Sequence, residues 1–167
     1  MTKNSKNPIN KTSNSNSTAK PEQIKPSVGI IYSDNEYKSL ESKNSAYYLA
    51  GLLATSGYSD IYLIGLEQIN NNNIGKFNER LYYCTPGYTL STPVEAPVSC
   101  ITHETWSILP TCDLILCTVN SNDTTILATK LVECLAINNS SSTSSSKKIP
   151  VVSLQRGVKN SSTLKDE

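Results

Sequence analysis

Apolar residues fall into short blocks along this chain, and their spacing changes from block to block. "SVGIIY" is a run with β-branched residues and reads as a buried strand over Val28–Tyr32. "NSAYYLAGLLATSG" has helical spacing, with Tyr48, Leu49, Leu52 and Leu53 on one face and Gly57 as a C-terminal stop. "DIYLIG" predicts a second strand over Asp60–Gly65. "RLYYCTPGYTLSTPVEAPVSCI" reads as a hairpin turning at Pro86-Gly87, its other prolines marking an edge. "CDLILCTV" is apolar throughout, so Asp113–Val119 is expected as a strand buried on both faces. "SNDTTILATKLVECLAI" predicts a helix with Leu127, Leu131, Cys134 and Leu135 inward, capped by Ser121, Asn122 or Asp123. "IPVVSL" is the last buried strand, Ile149–Leu154.

Strands alternating with helices give an α/β fold, a parallel sheet with crossover helices and an added hairpin. Ligands of such sheets bind outside the carboxyl ends of the strands. Three exits therefore matter: Tyr32-Ser33-Asp34, Val119-Asn120-Ser121 and Leu154-Gln155-Arg156.

Composition narrows the picture. At 167 residues and 37% hydrophobic, the chain supplies one core of ordinary size, assigned to residues 26–167. Residues 1–25 are polar, Asn/Ser/Lys-rich and without period, and read as a disordered tail. Low-complexity insertions are placed at 69–75 and 138–148. At a net charge of +1, no basic stripe argues for nucleic acid and no acidic run argues against it, and no nucleic-acid partner is assigned. There is no apolar run of membrane-spanning length and no signal-type start, so the expectation is a cytoplasmic protein. The five cysteines lack a C-x-x-C pair and read as reduced, buried thiols. Cys112 and Cys117, five apart along one strand, are expected on opposite faces, so no metal site is assigned. The single His103 reads as a surface or capping residue, and Trp106 as packed over the sheet edge.

"AYYLAGLLATSGYSDIYLIG", "CDLILCTVNSNDTTILATKLVECLA" and "PVVSLQRGVKN" together resemble, in order and spacing, the N-terminal half of ketopantoate reductases (2-dehydropantoate 2-reductases) over about residues 28–160. The resemblance implies a Rossmann-like domain and a place in pantothenate biosynthesis. It also implies NADP as cofactor in the reduction of 2-dehydropantoate or a related 2-keto acid. It maps cofactor contacts onto Ser33, Ala46, Asn120, Gln155 and Arg156.

The chemistry-bearing positions depart from that family. A dinucleotide loop needs G-x-G-x-x-G so that backbone N–H groups reach the pyrophosphate. Here "YSDNEYKSLESKNSA" contains no glycine, and only Ala46 matches the third position. Leu66 stands where the family places a phosphate-pairing Arg, Asn120 where it has Lys, Arg156 where it has Asn, and Lys159 where it has a second Gly. Glu67 reads either as an exposed glutamate, the favoured reading, or as an acceptor for a ribose hydroxyl. The family's catalytic Lys lies on a second domain beyond Glu167, so no catalytic residue is assigned. Two readings stand: a nucleotide-binding half of a reductase, inactive alone, and a non-catalytic pseudoenzyme that binds a partner. NADPH binding is expected to be weak or absent. Exposed apolar surface beside Leu154 and Val158 is expected to drive self-association or pairing with a full-length relative. A flavodoxin-like domain also fits the alternation, but the chain lacks a Ser/Thr-rich phosphate loop after its first strand.

Overall fold

The computed structural model describes residues 26–34, 40–67, 74–83, 93–136 and 148–155. The expected N-terminal tail, the Pro86-Gly87 turn, most of both insertions, Arg156, Val158 and Lys159 lie outside the described residues.

Ten elements follow in chain order: β1 (Val28–Tyr32), α1 (Leu40–Thr55), β2 (Ile61–Gly65), β3 (Gly75–Lys76), β4 (Tyr82–Tyr83), β5 (Val94–Glu95), β6 (Ile101–His103), β7 (Leu114–Cys117), α2 (Thr124–Ala136) and β8 (Val151–Ser153). The main sheet has the order β3-β6-β2-β1-β7-β8. All its pairings are parallel except β3 with β6. This is an α/β, Rossmann-like sheet. From β1 the chain first crosses through α1 to β2 on one side, and later continues from β7 through α2 to β8 on the other. Strand order therefore reverses between β1 and β7, where such folds bind ligands.

Alternate residues of each strand feed two cores. Val28, Ile30, Tyr32, Ile61, Leu63 and Leu116 meet α1. Ile31, Ile64, Ile115 and Cys117 meet α2 and a 3₁₀ segment over Trp106–Thr111. β7, flanked by β1 and β8, is covered on both faces, as its unbroken apolar run requires.

Four expectations are corrected. α1 begins at Leu40 and buries Ser42, Ala46, Ala50, Gly51 and Ala54, while Tyr48 and Leu52 stay 40% and 39% exposed. Small residues let the helix approach the sheet closely, with Tyr47, Leu49 and Leu53 packing along its flanks. Gly57 does end the helix, at φ +82°. Second, the hairpin exists as β4 with β5, but it is a separate two-stranded sheet. Ile101 leaves it to start β6, which pairs with β2 and places His103 in the sheet. Third, Cys112 and Cys117 lie in the same core cluster. β7 begins only at Leu114, and Cys112 belongs to the end of the 3₁₀ segment, where strand alternation does not apply. Fourth, β8 is an edge strand, with Val151, Val152 and Leu154 exposed. Its apolar run resembles a buried strand because one flank packs on β7. Trp106, expected over the sheet edge, donates its Nε1–H to the carbonyl of Gly65, the last residue of β2, at 3.1 Å.

Candidate functional site

The four buried polar residues among the described ones, Ser33, Ser42, Thr118 and Thr124, gather at the carboxyl ends of the strands and the helix starts beside them. This is the edge marked by the strand exits.

After β1 the next two residues reach in opposite directions. The Ser33 N–H donates to Ser42 Oγ at 2.8 Å. Its hydroxyl donates to Asp123 Oδ2 at 2.8 Å and accepts the Asn120 N–H at 3.1 Å. Ser33 thus spans from β1 to the start of α2. Asp34 turns the other way: its Oδ1 accepts the Glu67 N–H at 2.7 Å, just beyond β2. This carboxylate lies so close over Gly65 that a Cβ there would come within 2.5 Å of Asp34 Oδ2. Only glycine allows that approach.

The remaining contacts tighten the same edge. The Thr118 hydroxyl lies 3.2 Å from both the Ile31 and Ser42 carbonyls. The Thr124 hydroxyl faces the Ser121 carbonyl at 2.8 Å and Gln155 Oε1 at 3.2 Å, and Ser153 Oγ donates to that same Oε1 at 3.2 Å. Among the described residues, Gln155 Nε2 is the buried side-chain polar atom that has no hydrogen-bond partner. Lys130 brings an ammonium from α2 to the exit of β2, where its Nζ donates to the Leu66 carbonyl at 2.6 Å and lies 5.5 Å from the Trp106 ring centroid.

Of the residues assigned from sequence, Ser33, Asn120 and Gln155 come together at this edge. Ala46 does not; it is fully buried under α1, where it serves close helix–sheet packing. Arg156 lies outside the described residues. The sequence reading missed Ser42, Thr118 and Thr124 and the role of Asp123. Asp123 stood among the candidate caps, yet its carboxylate goes to Ser33. The legible signal was a polar residue directly following each apolar run. Which partner each one meets depends on strand order.

A second constellation lies on the α1 face. Tyr47 meets Phe77 edge-on at 5.1 Å, Phe77 stacks on His103 at 5.4 Å, and Tyr32 meets Tyr47 at 6.1 Å. His103 is therefore a half-buried member of the sheet, and not a surface or capping residue. Burial lowers its pKa, Lys43 adds to that effect and Glu79 opposes it. Burial, with Asp34 and Glu79, pushes the Tyr32 phenol up to about 12, and Tyr47 moves in the same direction. Together these side chains form a packed aromatic wall on the α1 face of the sheet.

Two grooves open nearby. One, of about 410 Å³, lies between α1 and the ends of β7 and β8, lined by Asn44, Ser45, Tyr48, Leu49, Thr118 and Leu154. The other, of about 390 Å³, separates α1 from the hairpin and is walled by Tyr47, Tyr48 and Tyr82, with Glu79 and Arg80 at its rim. Among the described residues no group of three or more His, Cys, Asp or Glu could hold a metal ion, and no helix is long and apolar enough to cross a membrane.

No protein-family model matches the chain, and no curated protein matches it.

At this edge the Ser33, Glu67 and Asn120 N–H groups bond inside the protein. Asp34, Asp123 and Glu41 of the first turn of α1 bring negative charge, and Lys130 brings a positive charge to the exit of β2.

Proposed function

We propose that this chain is a ketopantoate-reductase-like Rossmann module that no longer transfers hydride and acts in the cytoplasm by binding a protein partner. One observation carries the reading: the edge between β1 and β7 is closed by the protein's own hydrogen bonds, Ser33 to Asp123 and Asn120 to Ser33. Losing two charge-assisted phosphate contacts costs about 3–6 kcal/mol. That is roughly two to four decades of affinity. NADPH binding should therefore fall far outside the range a reductase uses. The partner is a second copy or a full-length relative. The exposed apolar side chains of β8 and Leu154 support that choice, because an edge strand with little charge favours pairing.

Calorimetric titration with NADPH tests the reading, alongside NADPH consumption in the presence of 2-dehydropantoate. No saturation below about 100 µM and no turnover are expected, whereas a sub-micromolar dissociation constant would sink it. Light scattering tests the association, which should appear as a mass that rises with concentration; a strict monomer at about 100 µM contradicts it.

One observation favours the second reading, the nucleotide-binding half of an NADP-dependent reductase. Gln155 Nε2 is a buried donor left open at the ligand edge. Under that reading, Gln155→Leu weakens NADPH binding; under ours it changes nothing.

A further inference from the structure

We propose that Asp34 and Asp123 form an internal plug that sets the specificity of this edge against phosphate-bearing ligands. The inference rests on the proposed loss of dinucleotide binding and names its cause. The two carboxylates lie on either side of Ser33 and accept hydrogen bonds at two different exits of the sheet. Asp34 takes the Glu67 N–H beyond β2 at 2.7 Å, and Asp123 takes the Ser33 hydroxyl at 2.8 Å. Each supplies from within the chain the oxyanion that a phosphate would bring from outside. Each also repels one at short range, where a like charge costs most.

The seat of Asp34 is built, because the Asp34 carboxylate occupies the space a side chain at position 65 would fill. Asp123 is likewise committed. It lies at the start of α2, where an acidic side chain ordinarily serves its own helix, yet it crosses to β1. Ser33 then passes the connection on by accepting the Asn120 N–H. Missing glycines alone would make a poor phosphate site that no charge change could mend. A plug makes a site that improves when the carboxylates go.

The experiment uses the full chain as wild type, Asp34→Gly, Asp123→Asn and the double variant. ADP and inorganic pyrophosphate are the probes, followed by calorimetry and by the fluorescence of Trp106, which touches Gly65. The double variant should bind both probes at least about tenfold more tightly than wild type, with single variants between. Folded variants that bind no better overturn the plug.

Two measurements hold if a variant does not fold. In wild type, the Glu67 and Asn120 amides should exchange with solvent deuterium as slowly as the neighbouring sheet amides; exchange at the rate of an open loop overturns the plug. Gly65→Ala keeps both carboxylates but displaces Asp34, and should raise probe affinity without any change of charge; unchanged affinity in a folded variant counts against the plug. The two ideas fail separately. Sub-micromolar NADPH binding by wild type refutes the loss of dinucleotide binding. Weak binding by wild type and variants alike refutes only the plug.

Discussion

α1 and α2 cover opposite faces of one sheet with different chemistry. α2 buries Leu127 and Leu131 with Ala128, large residues at helical spacing, and its inward face is the one its pattern predicts. α1 buries a stripe of Ser42, Ala46, Ala50 and Ala54 at four-residue intervals and leaves Tyr48 and Leu52 half in solvent. In α1 the large residues lie on several sides, so hydrophobicity does not single out a face. The absence of bulk does, because a helix comes close to a sheet only through small side chains. α2 holds its place by filling volume and α1 by fitting a narrow gap.

Substitutions can break that contrast. Leu127→Ala should remove about 2–5 kcal/mol of stability by opening a cavity in the α2 core, read by urea denaturation. Ala50→Leu in α1 should cost about 1–3 kcal/mol for the opposite reason, overpacking. If it is neutral, the gap under α1 is loose and the contrast falls.

Each face also buries a titratable group. Burial pushes the Cys117 thiol on the α2 side from 9.0 up to about 12. Burial, Asp34 and Glu79 push Tyr32 on the α1 side from 10.0 to about 12. Both groups ionise in the unfolded chain before they ionise in the folded one. Their contribution is whole below pH 9 and is lost as pH rises toward 12, by on the order of 1 kcal/mol per pH unit for each group. Denaturation curves from pH 8 to 11 should show stability falling from about 9, with Cys117→Ala removing the earlier part and Tyr32→Phe the later. A flat profile contradicts the burial assigned to both.

The smallest effect sharpens the comparison. Tyr48→Ala and Leu52→Ala should each change stability by no more than about 0.5 kcal/mol, as exposed positions do. A loss comparable to Leu127→Ala would mean that the hydrophobic stripe of α1 is its buried face after all.

Much of the fold was legible. β1, β2, β7 and β8 lie within the segments assigned to strands, and both helices lie between them as the alternation requires. Less of the site was. Ser33, Asn120 and Gln155 were marked only as residues following apolar runs. The Ser33–Asp123 bond joins positions 90 apart, and Asp34 meets Glu67 at a separation of 33. β6 escaped notice because three residues beside a proline-rich hairpin carry no periodic signal, and His103 was misplaced with it.

Local pattern determined the kinds of element and their order, since burying apolar residues at a period of two or of 3.6 is a property of the segment itself. Sheet order decided the rest. Only the placement of β1 between β2 and β7 brings Asp34 over Gly65 and Asp123 to Ser33, and only the edge position of β8 exposes Val151 and Val152. Such contacts come from distant parts of the chain meeting at one strand end, and short-range spacing carries no record of them.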